Sequence, residues 1–146
     1  MPTTTATLTL SSSDLLTDNL SLSTTHTLYQ DGTTATGLDE VTYKRLNVPT
    51  GTNFDLIPES AALSEDASYV YIANKTDDVT AYVVISINSE VLGRLYGGDW
   101  MWMPWDCDLT AAANDSSIEI QAYTVENVIE YALFHNGETL VTASDS

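Results

Sequence analysis

The run of β-branched and aromatic residues from Val79 to Ile87 constrains this chain more than any other stretch. Such side chains lose rotamer freedom in a helix and pack well on a pleated surface, so the run reads as a strand. Side chains alternate across a strand, which places Val79, Ala81, Val83, Ile85 and Ile87 on one face, assigned to the core. A similar run, Tyr69–Asn74, precedes it, and the polar link Lys75–Asp78 is short enough for an antiparallel hairpin. Ser117–Tyr123 alternates well. Val128–Phe134 and Glu138–Thr142 flank His135-Asn136-Gly137, and Asn-Gly is a strong hairpin signal. No segment sustains a 3.6-residue period over three turns. The strongest strands are therefore predicted at 69–74, 79–87, 117–123 and 128–134. Many short strands with regular turn signals predict an all-β chain folded as an antiparallel β-sandwich of the jelly-roll kind.

The first half is less sharply patterned. Residues 1–13 are dominated by Thr and Ser, with Thr7-Leu8-Thr9-Leu10 alternating. That segment carries little apolar surface, so it reads as an extended N-terminal arm ordered by a partner, or as an edge strand. Residues 14–146 read as one β-sandwich domain, with no internal repeat. Asp14–Asp18 and Glu59–Ala67 each have room for a helical turn. Leu20-Ser21-Leu22-Ser23 alternates again and extends toward Leu28, while Gln30–Thr34 and Gly37 read as loop. Val41–Val48 is a better strand, ended by Pro49 and Gly51, and Phe54–Ile57 is a short one stopped by Pro58.

Charge narrows the possible partners. Four Lys and Arg against 21 Asp and Glu leave a formal net charge of −17. A field of that sign repels phosphate, which disfavours direct contact with nucleic acid and with anionic membranes. Lys44-Arg45 is too small to make a basic patch. No basic start leads into an apolar core, so no signal peptide is expected, and no apolar run approaches membrane-spanning length.

Candidate chemistry is sparse. Asp77-Asp78 and the cluster Asp106, Asp108, Asn114 and Asp115 offer the oxygen ligands calcium takes, but nothing matches an EF-hand loop and acidic turns are mostly turn chemistry. With 21 acids, a carboxyl pair at glycosidase spacing arises by accident. The single Cys107 sits between Asp106 and Asp108, which would raise a thiol pKa rather than activate it. His26 and His135 have no second ligand at metal spacing, and Gly97-Gly98 is a turn signal rather than a phosphate cradle. No catalytic, cofactor-binding or metal-ligating residue is therefore assigned, and an enzyme is not expected.

The aromatic stretch Gly97–Asp108 holds all three Trp and two of the three Met. If extended, it points Trp100 and Trp102 one way and Met101 and Met103 the other, with Pro104 at an edge or strand end. Both faces are large and apolar. Core filling by Trp100 and Trp102, with Trp105 closing the core's end, is favoured, because the flanks read as strand. A sugar-stacking platform and a protein interface are the competing readings.

The order Val70–Asn74, a hairpin, Leu95–Trp105 with Gly-Asp and Pro-Trp, and then Val128–Phe134 resembles small virion structural proteins of tailed bacteriophages, in the style of head decoration (cement) proteins. The resemblance covers residues 68 to 135. It implies a β-sandwich bound to the outer face of a phage head, without catalytic residues and without cofactor. It also implies the major capsid protein as partner, a homo-oligomer, and residence in a virion assembled in the host cytoplasm. On this reading the expected partner interface comprises Thr7, Leu8 and Leu10 on the arm together with Tyr96 and Trp105. The alternative is a carbohydrate- or receptor-binding module of a phage tail, a fibre or a secreted protein. It demands an exposed Trp platform with polar neighbours.

Overall fold

The computed structural model describes residues 3–15, 17–29, 40–51, 53–57, 68–87, 89–105 and 118–135. Their strands are β1 (Thr5–Ser12), β2 (Leu20–Thr27), β3 (Glu40–Val48), β4 (Phe54–Ile57), β5 (Ser68–Asn74), β6 (Tyr82–Ile87), β7 (Glu90–Tyr96), β8 (Trp100–Trp105), β9 (Ile118–Tyr123) and β10 (Asn127–His135). Eight of them form two four-stranded antiparallel sheets, in the orders β3-β10-β5-β8 and β4-β9-β6-β7. The pairing is nested. Within this set the first strand pairs with the last, β3 with β10; then β4 pairs with β9, β5 with β8, and β6 with β7. A long double ribbon rolled on itself has this order, and the β10–β5 and β9–β6 pairings seal the roll. The fold is a jelly roll.

Alternation explains the core. Val70 and Ile72 of β5, Ile129, Tyr131 and Leu133 of β10, Val83 and Ile85 of β6, and Ile118 and Ile120 of β9 meet between the sheets. Leu95 and Trp105 join them, with Met101 and Met103 packed alongside. The face assigned to the core is correct from Ala81 onward. Val79 is the exception at 70% exposed, because β6 begins at Tyr82 and the residues before it are a turn. In that turn Asp78 accepts from Thr80 through both the backbone N–H (2.9 Å) and the hydroxyl (2.6 Å).

Two further expectations are corrected. Lys75–Asp78 does not make a hairpin: β5 and β6 lie in different sheets, so the link arches across the roll. Residues 14, 15, 17 and 18 form bends rather than a helical turn. There the Ser12 hydroxyl accepts from the Leu15 N–H (3.1 Å), the local competition with helix that Ser side chains offer. The possible helical turn at 59–67, the Asn136-Gly137 hairpin and residues 138–142 lie outside the described residues.

The N-terminal segment is a strand with a partner inside the chain. β1 and β2 pair over their full length as a separate two-stranded sheet, from Thr5 opposite Thr27 to Ser12 opposite Leu20. The Thr7 and Thr25 hydroxyls meet across it at 3.2 Å, and the Leu28 N–H donates to the Thr4 carbonyl at its base (2.9 Å). β1 and β2 together make a hairpin reaching to residue 27, so the Thr- and Ser-rich segment is paired as a strand, one of the two readings its sequence allowed.

Candidate binding surfaces

The register of the β3-β10-β5-β8 sheet lines up an aromatic row on its outer face. Tyr43, Ala132, Tyr71 and Trp102 lie opposite one another across the four strands. One row along, Val41, Phe134, Tyr69 and Pro104 do the same. Tyr69 and Trp102 stack with centroids 5.4 Å apart and planes 7° from parallel, and Phe134 meets Trp102 edge-on at 5.6 Å. An outer sheet face in water would ordinarily be polar. This one is apolar because something stands over it.

That something is the hairpin. Along β1 and β2, Ala6, Leu8 and Leu10 share a face with His26, Thr24, Leu22 and Leu20, while Thr and Ser fill the opposite face. The inner end of the apolar face stands above Tyr71, Trp100, Met101, Trp102 and Phe134, enclosing a cleft of about 580 Å³. The His26 ring reaches down to the sheet, with Nε2 3.2 Å from the Tyr69 hydroxyl. The outer end of the same face runs past the cleft, leaving Leu10 47% and Leu22 46% exposed. Neither β1 nor β2 contains an Asp, Glu, Lys or Arg, and among the described residues none of these lines the cleft. In a chain of net charge −17 this is a neutral, apolar surface.

Beside the cleft, Glu130 is neutralised in place. Its carboxylate accepts from the Tyr43 hydroxyl and the Tyr71 hydroxyl and pairs with Arg45 at 3.4 Å. The Tyr43 hydrogen bond, opposed by partial burial and helped by Lys75 and Arg45, holds this carboxyl below its ordinary pKa.

The Trp stretch divides as alternation requires, but its faces are used in the opposite sense to the favoured one. Met101, Met103 and Trp105 point into the core, and Trp100 and Trp102 point out. Trp105 is 4% exposed, so it fills the end of the sandwich and offers no contact surface. Trp100 is 54% exposed rather than buried. It stands between the apolar cleft and a smaller one of about 350 Å³ lined by Lys75, Thr76, Asp77, Gly97 and Gly98. Pro104 suits its place. The Asn74 N–H donates to the Asp99 carbonyl and the Lys75 N–H to the Val128 carbonyl, so alternate β5 residues bond β8 and β10. By that alternation Pro104 falls where a ladder hydrogen bond to β5 is not required, and β8 is an edge strand.

Tyr96 belongs to a separate surface on the other sheet. Tyr123, Tyr82 and Tyr96 lie opposite one another, with centroids 5.7 and 5.2 Å apart. The Arg94 guanidinium covers the Tyr82 ring at 4.6 Å and donates to the Tyr96 hydroxyl at 3.3 Å. These ring faces are occupied by one another and by Arg94, which makes the row a poor platform for a sugar.

Of the residues expected at an interface, Leu8 and Leu10 share the hairpin's apolar face, Thr7 is on the Thr- and Ser-rich face yet is among the residues lining the cleft, and Tyr96 is on a different sheet. Sequence reasoning did not pair Leu10 with Leu22, nor set Leu8 over Tyr71, Trp100, Trp102 and Phe134. The available signal was the absence of charge from two alternating segments. Cys107 and the acids at 106, 108 and 115 lie outside the described residues, and among the described residues no three His, Cys, Asp or Glu are grouped to hold a metal. No described helix is long and apolar enough to cross a membrane. Comparison with protein-family models, with curated proteins and with solved structures finds no match to this chain.

Proposed function

We propose that this chain is a non-enzymatic structural protein that attaches to other proteins, as a capsid decoration (cement) protein does on the outer face of a phage head. One observation carries the reading. The β1–β2 hairpin stands outside a jelly roll whose core cluster contains none of its residues, and it holds a neutral face with two half-exposed leucines. An element that the fold does not need for its core, and that leaves apolar area in water, is a contact element. Jelly rolls serve in capsid and lectin domains alike, so the fold by itself does not choose the function. Strong acidity suits an outward surface and would be a handicap on one lining packaged DNA. The test is to purify tailed-phage particles that carry this chain and to locate it by cryo-electron microscopy. Density on the outer head lattice is expected; its absence from virions would overturn the proposal.

The second reading, a carbohydrate-binding module, is favoured by Trp100. Its exposed indole has Lys75, Thr76 and Asp77 beside it, the polar neighbours that a sugar-stacking platform requires. Indole fluorescence titrated with a panel of oligosaccharides distinguishes the two. A saturable change abolished by Trp100→Ala would favour the carbohydrate reading.

A further inference from the structure

Leu10 and Leu22 form a directly opposed pair on the hairpin, two residues beyond Leu8 and Thr24, which line the cleft. At about 3.3 Å per strand residue they lie roughly 7 Å past it, too far along a stiff ribbon to fold back into it. The chain therefore carries both halves of an apolar contact that it does not make with itself: an exposed leucine pair and an aromatic cleft. Both are neutral. The leucine pair and the cleft bring no carboxylates together, whereas contacts between acidic surfaces of two copies of a chain with net charge −17 would, and like charges across an interface are costly.

We infer that a second copy of this chain is the occupant: the Leu10–Leu22 pair of one copy docks against the Trp100–Trp102–Phe134 rim of the next copy's cleft. The contact is heterologous, head to tail, because the leucine pair and the cleft are different surfaces of each copy. Such contacts close into rings or extend as chains. An isologous contact of leucine pair on leucine pair would leave the cleft unfilled. The inference rests on the reading of the hairpin as a contact element but does not depend on the phage head as the other partner.

Sedimentation velocity tests it on the full chain. Wild type should assemble, and more completely as salt screens the acidic bodies. Two variants change exposed residues only: Leu10→Asp with Leu22→Asp, and Trp100→Asp, each checked for wild-type circular dichroism. Each alone should be monomeric. Mixed in equal amounts they should form a species of twice the monomer mass, since the leucine pair of the second variant meets the intact cleft of the first. A monomeric wild type overturns the inference. So does an assembling wild type whose mixed variants stay monomeric, because the contact is then isologous or elsewhere. Assembly without any attachment to virions would instead defeat the proposed function and leave this contact standing.

Discussion

Asn74 Nδ2 donates to Asn127 Oδ1 at 2.9 Å, and the same amide donates to the Leu95 carbonyl at 2.9 Å. Asn74 and Asn127 are on neighbouring strands of one sheet, whereas Leu95 belongs to the other, so one buried side chain ties the two layers together. The network is well satisfied. Asn74 Oδ1 accepts from the Thr76 N–H, Asn127 Nδ2 donates to the Val125 carbonyl, and the Thr76 hydroxyl accepts from the Val128 N–H.

Asn127→Leu should therefore destabilise the roll out of proportion to its size. It removes the acceptor for Asn74 and leaves a buried amide proton unpaired, a cost of about 1–3 kcal/mol. Urea denaturation should show a lower midpoint with an unchanged slope.

The turn from β7 to β8 rests on close backbone approach at Gly97. A Cβ there would lie 2.3 Å from the Asp78 carbonyl oxygen and 2.6 Å from that of Thr76. Neither neighbour is a flexible side-chain end, so the arch between the sheets must shift. Gly97→Ala should cost about 1–3 kcal/mol, as overpacking does. Gly93, where a Cβ meets nothing within 4 Å, is the control, and Gly93→Ala should stay within about 0.5 kcal/mol of wild type. Thermal melts of the two variants make the comparison.

These two positions also show where the sequence stops being informative. Period-two alternation located β3, β5, β6, β9 and β10 to within a few residues, because burial between two layers imposes that period directly. The arch from β5 to β6 has the length and polarity of a hairpin loop. What makes it an arch is a set of partners distant in sequence: Leu95 and Asn127 for Asn74, and Gly97 beneath Thr76 and Asp78. Trp100 and Trp102 were obscure for a related reason. A strand apolar on both faces reads as core, and β8 is apolar on its outer face because a hairpin about 80 residues away in sequence stands over it. That Leu8 and Leu10 share one strand face was legible from the alternation, but the pairing that sets Leu10 beside Leu22 was not.

Glu130 gives the fold a defined response to acid. The Tyr43 hydroxyl is the first cause of its depressed pKa, with Lys75, Arg45 and Tyr71 adding to it against partial burial. A carboxyl held lower in the folded state than its ordinary 4.5 stabilises the fold fully above that value. The contribution is lost as pH falls through the depressed value. The stability difference between wild type and Glu130→Gln should accordingly be constant near neutrality and narrow below about pH 4.5. Tyr43→Phe removes the largest cause and should move that narrowing to higher pH. Urea midpoints measured across the acid range check both.

Removal of the hairpin separates its role from that of the roll. The core cluster begins at Val48 and draws on both four-stranded sheets, without a residue from β1 or β2. An isolated two-stranded sheet is marginal in water, so the hairpin takes support from the aromatic face more than it gives. Deleting residues 5–26 keeps Leu28, which is fully buried, and should leave a chain that unfolds in one cooperative transition. The loss should be modest, limited to the contact over Trp102 and Phe134 and the His26–Tyr69 hydrogen bond. Trp102 then loses its cover, so the folded state's indole emission should shift to longer wavelength while the far-ultraviolet spectrum keeps its β form. Loss of the cooperative transition would mean that the hairpin is integral to the roll. An unshifted emission maximum would mean that it does not cover the aromatic face in solution.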